Sequence, residues 1–305
     1  AVVEDPFGAS MCLVLVGLFF AYKLYQKNLI TLGDYYRQRY GRVIEVSCSA
    51  IIMFSYLGWV AAQITALGLV FNLLTQGAVS VTMGMVIGTL VVLIYTLYGG
   101  MWSVALTDTF QMAIIVIGLG YLTWLIGDMA GGPQKVITQA ASEGKFTFIN
   151  SFDARDIVAF IGAAVTMMLG SIPQQDVYAR VMSAKTERIA SHATIAGAIF
   201  YLGFCMLPIF LTYAASIIDP AMVARYLAED AQMILPHLIM ERTPVFAQVL
   251  FFGALLSAIM STASATLLAP STTFVENILR NLKPGMSDQA TLRAMRISVL
   301  VFTFC

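Results

Sequence analysis

Long stretches without a central charge dominate this sequence and limit what it can fold into. Apolar windows of roughly 16 or more residues occur at about 8–25, 43–73, 79–98, 109–127, 157–172, 193–218 and 245–269, and another opens near Ile297. About 20 apolar residues in a helix cross the ~30 Å hydrocarbon core of a bilayer. The sequence therefore predicts an all-α, polytopic membrane protein with about eight transmembrane helices, and we expect residues 1–305 to form a single transmembrane domain.

Composition agrees with this class and excludes several functions. Apolar residues make up 59% of the chain, charged residues only 11%, and the mean hydropathy is +0.82. Seventeen acidic residues balance 17 basic ones, so no basic surface for nucleic acid is predicted. The sequence also shows no nucleophile–base pair, phosphate loop or metal-ligand cluster, so we expect neither an enzyme nor a cofactor. The four cysteines stand singly, which predicts no disulfide framework: Cys12, Cys48, Cys205 and Cys305.

Basic residues are distributed unequally between alternate loops, twelve on one side and five on the other. Lys and Arg in short loops are retained on the cytoplasmic side. We therefore expect a multi-pass protein of the cell membrane (the plasma or bacterial inner membrane), embedded in the lipid bilayer with its N-terminus outside. The cytoplasmic set is Lys23, Lys27, Arg37, Arg39, Arg42, Arg180, Lys185, Arg188, Arg280, Lys283, Arg293 and Arg296.

The pass that opens at Ile157 contains a break. It runs into Gly170-Ser-Ile-Pro-Gln-Gln-Asp176, where Pro173 removes a backbone donor and clashes with the preceding turn. About 14 residues of helix at ~1.5 Å per residue descend about 20 Å, so the break lies near the bilayer midplane. A broken helix at this depth is typical of a transporter's binding site.

Two segments between the passes have helical patterns of their own. Pro133–Ser142 is predicted to form a short helix. Residues 219–242 are predicted to form an amphipathic helical hairpin broken at Pro236, which serves either as an ordinary surface loop or as an external lid.

The segment Gly253–Pro270 carries several hydroxyls and no charge, and it supports two interpretations. Its small residues recur every fourth position, which is typical of close helix packing in membranes. Alternatively, the side chains of Ser261 and Thr262 converge with the carbonyl of Ala258, one turn earlier, on one neighbourhood. Sodium is a hard cation and prefers such oxygen ligands, by the same logic as calcium and magnesium.

Three motifs resemble one known family. Leu256-Ser-Ala-Ile-Met-Ser-Thr-Ala-Ser264 is similar to the eighth core helix of the sodium/solute symporter family. The segment from Ile94 through Gly99-Gly100 to Gln111 resembles the junction of that family's fourth and fifth core helices, and Ser171–Lys185 resembles its sixth. The motifs are collinear and together span nearly the whole chain. Within the family, the overall sequence, including Glu229-Asp-Ala-Gln-Met-Ile-Leu-Pro236, is most similar to the choline-transporter branch.

The resemblance implies a fold, an ion and a set of ligands. The fold would be the leucine-transporter-type inverted repeat, with this chain a fragment that covers core helices 2 to 9 and lacks the first. Sodium would be the coupling ion, held between the first and eighth core helices, with Ala258, Ser261 and Thr262 as its ligands here. The position of Asp108 after Thr107 predicts an N-cap or first-turn acid of a helix. The resemblance gives it a second role on the sodium exit route, and the two roles are compatible.

The resemblance further implies that the broken helix contacts solute. Asp176 is a possible partner either for a cationic solute or for Arg180. If Asp176 and Arg180 pair with each other, Asp176 is not expected to bind the solute. The aromatic residues of the second pass either pack or form a cation–π wall for a quaternary ammonium. The choline-transporter branch has a tryptophan where this chain has glutamine at 174. The residues that we expect to contact solute are Gln174, Gln175, Asp176, Tyr178, Trp59, Tyr56 and Gln63.

These observations predict a sodium-coupled symporter that imports a small organic solute by alternating access. A choline-like amine, an amino acid, a sugar or a carboxylate are all compatible with the sequence. The alternative is a sensor that keeps a transporter-like membrane domain and reports solute occupancy to a cytoplasmic signalling module.

Overall fold

The computed structural model describes residues 3–147 and 153–304, and over these residues all regular secondary structure is helical. The all-α prediction is therefore confirmed. In chain order the helices are α1 (Asp5–Tyr25), α2 (Leu32–Tyr40), α3 (Arg42–Leu74), α4 (Val81–Gly100), α5 (Trp102–Met129), α6 (Pro133–Ser142), α7 (Ala154–Gly170), α8 (Gln175–Met182), α9 (Glu187–Ile218), α10 (Pro220–Glu229), α11 (Ile234–Arg242), α12 (Val245–Leu282) and α13 (Asp288–Phe304).

Six of these helices are long and apolar enough to cross a membrane, and the number becomes seven if α7 and α8 are one broken span. The predicted break is confirmed, because the helix ends at Gly170 and resumes at Gln175. The apolar run near Ile297 belongs to α13, which is 17 residues long.

The chain divides into two compact units that are interleaved along the sequence. Unit 1 comprises Ala1–Cys12, Gln111–Leu169 and Gly197–Ser257; unit 2 comprises Leu13–Phe110, Gly170–Ala196 and Ala258–Cys305. All the residues that the sequence analysis assigned to sodium or solute fall in unit 2.

Within unit 2, α3 and α4 approach each other closely through glycines. A Cβ added to Gly68 would lie 2.6 Å from the carbonyl oxygen of Val81, and one added to Gly84 would lie 2.9 Å from the carbonyl oxygen of Gly68. Lipid tails are as apolar as the helices, so membrane helices associate by such close packing rather than by the hydrophobic effect.

A buried polar cluster ties α2 and α3 to the end of α12. Thr31 caps α2 by accepting from the backbone N–H of Asp34, and its hydroxyl donates to Asn277 Oδ1 at 2.7 Å. The Asn277 amide donates to Asp34 Oδ1 at 2.9 Å and to Glu45 Oε1 at 3.1 Å. Glu45 is fully buried; its Oε1 accepts from Asn277, and its Oε2 lies 3.7 Å from Arg37 Nε.

Helix α5 begins earlier than the uncharged window predicted. Gly100 has φ +52° and ψ −147°, a conformation that glycine adopts readily and other residues do not. The chain can therefore break there and enter α5 at Trp102. Asp108 consequently lies in the second turn of α5 and not at its first turn, so the interpretation of this acid as an N-cap or first-turn residue is wrong.

In unit 1, the predicted helix at Pro133–Ser142 is confirmed as α6. The predicted hairpin is also present as α10 and α11, but its break lies at Asp230 and not at Pro236. Pro236 occupies the first turn of α11, where a backbone N–H has no intrahelical partner to lose. Asp230 is extended instead, and its side chain accepts from the N–H of Gln232.

The glycine contact between α3 and α4 predicts a stability difference between two alanine substitutions. Gly84→Ala places a methyl group against backbone, and we expect it to destabilise the protein by about 1–3 kcal/mol. Gly58→Ala on the same hairpin meets open space, and we expect no loss because alanine favours helix. Thermal unfolding in detergent measures both; equal midpoints would contradict the close contact.

A pH effect is predicted at the start of α10. Asp219 accepts from the backbone N–H of Met222 at 3.0 Å and from Arg242 at 2.7 Å, and these bonds, the first more than the second, lower the pKa of its carboxyl. A lowered folded pKa stabilises the protein above the ordinary carboxyl pKa of about 4, and the contribution is lost as the pH falls through the lowered value.

Asp219→Asn keeps a capping oxygen and removes the charge. We expect the parent to melt at a higher temperature than this variant at pH 7, and the gap to close below about pH 4. Glu229→Gln is the matched control, because its pair with Arg225 is exposed on both sides. A gap that persists unchanged at pH 3 would rule out the charged form of Asp219 as its source.

Candidate functional site

The oxygens predicted to bind sodium lie on an accessible face of α12. Ala258 is exposed and Ser261 and Thr262 are partly exposed, whereas residues 263–267 are all buried. The hydroxyl of Thr262 donates to the carbonyl oxygen of Ala258 at 3.0 Å. This is the bond that a helical threonine commonly makes to the carbonyl one turn earlier, and it brings the oxygens of Thr262 and Ala258 together on this face.

Ser261 differs from the hydroxyls that follow it on α12. Those later hydroxyls donate back to a carbonyl three or four residues earlier in their own helix, as small hydroxyl side chains commonly do in helices: Thr262, Ser264, Thr266, Ser271 and Thr273. Ser261 instead donates to Asp108 Oδ1 on α5 at 2.6 Å. The second turn of α5 thus presents a carboxylate to one of the predicted sodium ligands.

Arg180 on α8 lies between two carboxylates. Its Nη2 is 3.5 Å from Asp108 Oδ2, and its Nη1 is 3.4 Å from Asp176 Oδ2. Charge-assisted hydrogen bonds of this kind are ordinarily about 2.7–2.9 Å long, so neither contact is tight. The structure therefore contains the Asp176–Arg180 pair that the sequence left open, and Asp176 is not a free counter-ion for a cationic solute.

Tyr56 on α3 continues these contacts. Its hydroxyl donates to Asp176 Oδ1 and accepts from the backbone N–H of Asp176 at 3.1 Å. The Tyr56 ring stacks on Trp59, with ring centroids 5.8 Å apart and an interplanar angle of 28°. Gln63, partly exposed, lies on the same helix about two turns beyond Tyr56.

We call this set of five side chains the polar chain; in order they are Tyr56, Asp176, Arg180, Asp108 and Ser261. It connects α3, α8, α5 and α12 within unit 2. A cavity of about 400 Å³ is lined by its Asp176 and Arg180, together with Gln175 and residues of α12.

The other residues of the broken helix divide into two groups. Gln175 is 1% exposed; it accepts from the N–H of Leu32 at 2.9 Å and donates to the carbonyl of Ile30 at 3.4 Å. The Tyr178 hydroxyl donates to the Leu29 carbonyl at 3.0 Å. These side chains hold the backbone that leads into α2.

Gln174 precedes α8 in an extended conformation and is partly exposed. Of the neighbouring pair of glutamines, its amide is therefore the accessible one.

Sequence reasoning missed one residue at this site. Tyr95 on α4 donates its hydroxyl to the carbonyl of Met260 at 2.8 Å, directly before Ser261. A buried tyrosine hydroxyl usually finds a hydrogen-bond partner, so its position in an apolar span was the available signal.

Comparison with protein families gives one match over almost the whole chain. A model described as "Sodium:solute symporter family" matches residues 5–304.

Named relatives are transporters and symporters, not enzymes. The chain is 28% identical over 309 residues to the high affinity choline transporter 1 of Homo sapiens, covering 98% of this chain and 52% of that protein. It is 24% identical to the sodium/glucose cotransporter 1 of Mus musculus, covering 96% of this chain and 49% of that protein. It is 26% identical to the sodium/pantothenate symporter of Haemophilus influenzae, covering 90% and 56%. The chain thus spans about half the length of these relatives.

A solved structure of a substrate-bound, outward-open Na⁺-coupled sialic acid symporter has a similar fold. The TM-score is 0.84 at 22% identity, and the match covers 99% of this chain and 65% of that one. This similarity confirms the leucine-transporter-type fold that the sequence motifs implied.

Alanine substitutions at the two adjacent glutamines are predicted to differ in their cost to stability. Gln175→Ala leaves the buried N–H of Leu32 without its acceptor, and we expect a loss of about 1–3 kcal/mol in unfolding free energy. Gln174→Ala removes an accessible amide, and we expect less than about 0.5 kcal/mol. Thermal or denaturant unfolding in detergent measures both losses; a larger loss for Gln174→Ala would contradict the described positions.

Proposed function

Because the chain belongs to the sodium:solute symporter family, we propose that it is part of a sodium-coupled symporter that imports a small organic solute by alternating access. The observation that carries this proposal is the accessible oxygen face of α12. The sensing alternative has no comparable support, because the named relatives are transporters.

Sodium is held, in this proposal, by the side-chain oxygens of Ser261 and Thr262 and by the carbonyl oxygen of Ala258. Neutral oxygens suit a coupling ion, because they bind it weakly enough for release in each cycle. The Asp108 carboxylate, bonded to Ser261, lies next to these ligands and serves as the next station on the sodium exit route.

Solute is contacted, in this proposal, by groups that protein contacts leave accessible. Gln174 has an accessible amide, while Trp59 and Gln63 are partly exposed on α3. Asp176 is excluded as a direct counter-ion because Tyr56 and Arg180 already hold its oxygens. If the solute is a choline-like amine, Trp59 is the preferred group through a cation–π interaction.

The solute class is left broad because the relatives differ in theirs. By name they transport choline, glucose or pantothenate, and the structural neighbour transports sialic acid. An amine, an amino acid, a sugar and a carboxylate therefore all belong in the first screen. We further propose that the protein lies in the cell membrane with the N-terminal end of this chain outside, as the basic-residue distribution predicts.

Sodium coupling requires that sodium and solute raise each other's affinity by the same factor. We expect Ser261→Ala combined with Thr262→Ala to abolish sodium-stimulated solute binding, because two of the three ligands are lost. Radiolabelled solute from the screen, bound in sodium and again in potassium, measures the stimulation.

Ser271→Ala is the matched control for this experiment. It removes a hydroxyl of the same helix that bonds within α12, and we expect full sodium stimulation. Undiminished stimulation in the double variant would refute the ligand assignment, and absence of stimulation in the parent would refute sodium coupling itself.

A further inference from the structure

We propose that Arg180 is a positioning residue that competes with sodium for Asp108 and so links sodium binding to the Tyr56–Trp59 stack. The proposal rests on the proposed function, since it assumes that sodium binds beside Ser261. It names the contacts through which sodium binding alters the aromatic residues that are proposed to lie near the solute.

The first support is the position of the guanidinium. Arg180 contacts Asp108 and Asp176 through different nitrogens at 3.5 and 3.4 Å, so the two carboxylates hold it almost equally. A short movement toward either carboxylate tightens one contact and lengthens the other. One guanidinium shared in this way can be drawn toward either carboxylate, which is the kind of element that two binding sites can bias.

The second support is the charge of the group. Asp108, Asp176 and Arg180 together carry two negative charges and one positive charge, and the ion pairs found among the described residues give neither acid another cation. A net negative charge among membrane helices is unfavourable. A sodium ion beside Ser261 supplies the missing positive charge.

The third support is the contact beyond Asp176. Sodium near Asp108 repels the guanidinium, which then moves toward Asp176. Arg180 then tightens its contact with Asp176 Oδ2, and the carboxylate accepts less strongly at Oδ1, so its bond with the Tyr56 hydroxyl weakens. Tyr56 stacks on Trp59, so the disturbance reaches the aromatic residues proposed to lie on the solute path.

The principal experiment measures sodium alone, so it needs no identified solute. We replace Arg180 with glutamine and measure ²²Na⁺ binding to the intact protein at constant ionic strength in potassium. Because the internal competitor is removed, we expect sodium to bind about tenfold more tightly, within the range typical of coupled sites. Arg180→Lys keeps a cation but not the two-pronged geometry, and we expect an intermediate affinity.

A second readout tests the link to the stack. With the other tryptophans changed to phenylalanine, Trp59 emission in the parent should change with sodium and not with potassium. We expect this change to be lost in Arg180→Gln, and also in Tyr56→Phe, which keeps the ring and removes only the hydroxyl. Tyr25→Phe is the control, because it removes a hydroxyl bonded to the Ala184 carbonyl outside the polar chain.

The outcomes separate this inference from the function on which it rests. Absence of sodium binding in the parent overturns the proposed function. Equal sodium affinity in the parent and Arg180→Gln, or an unchanged Trp59 response in Tyr56→Phe, overturns the competition and leaves sodium coupling intact. If Arg180→Gln fails to fold, sodium binding to Tyr56→Phe tests the inference. Without the Tyr56 hydroxyl, Asp176 holds Arg180 more firmly and draws it from Asp108, so we expect sodium to bind more tightly than in the parent.

Discussion

Polar groups in an apolar helix cannot bond to lipid, and this constraint organises unit 2. Most hydroxyls in the C-terminal part of α12 find a hydrogen-bond partner within the helix by donating to an earlier carbonyl, as Ser271 and Thr273 do. Ser261 finds its partner on another helix, by donating to Asp108 on α5. The Asp108 carboxylate is in turn contacted by the Arg180 guanidinium. Arg180 also contacts Asp176, which accepts a hydrogen bond from the Tyr56 hydroxyl. One hydroxyl that leaves its own helix is thus connected to four other side chains.

The Asn277 cluster and the polar chain, both in unit 2, differ in charge balance, and the proposed sodium ligands lie at the polar chain, which is not balanced. Around Asn277, three acids meet three bases, and the Asn277 amide bonds to both Asp34 and Glu45. The participating charged residues are Asp34, Glu45, Glu276, Arg37, Arg42 and Arg280. The polar chain instead has two acids and one base. A balanced cluster fixes helices in place, whereas an unbalanced one can accept an ion.

Much of the fold follows from sequence because the bilayer fixes the length of each apolar run. The predicted windows agree with the helices to within a few residues at most ends, and the break before Gln175 follows from Pro173. The window that ends at 269 is too short, because α12 continues through Pro270 to Leu282. Two other errors arise where the backbone conformation determines the helix start. A positive φ at Gly100 lets α5 begin at Trp102, and a proline is tolerated in the first turn of α11. Neither effect can be recognised from hydropathy alone.

The site was less predictable, because sequence identifies polar residues but not their partners. Gln174 and Gln175 are identical in type and adjacent, yet only the contact of Gln175 with the backbone before α2 distinguishes them. Tyr56 and Asp176 are 120 residues apart, and no spacing rule joins them. The choice of arginine at position 180 is nevertheless explicable in physical terms. A lysine ammonium is a point charge, whereas a planar guanidinium presents separate nitrogens to two carboxylates. A residue that must be shared between two acids, and released by one of them when another cation arrives, is therefore better served by arginine.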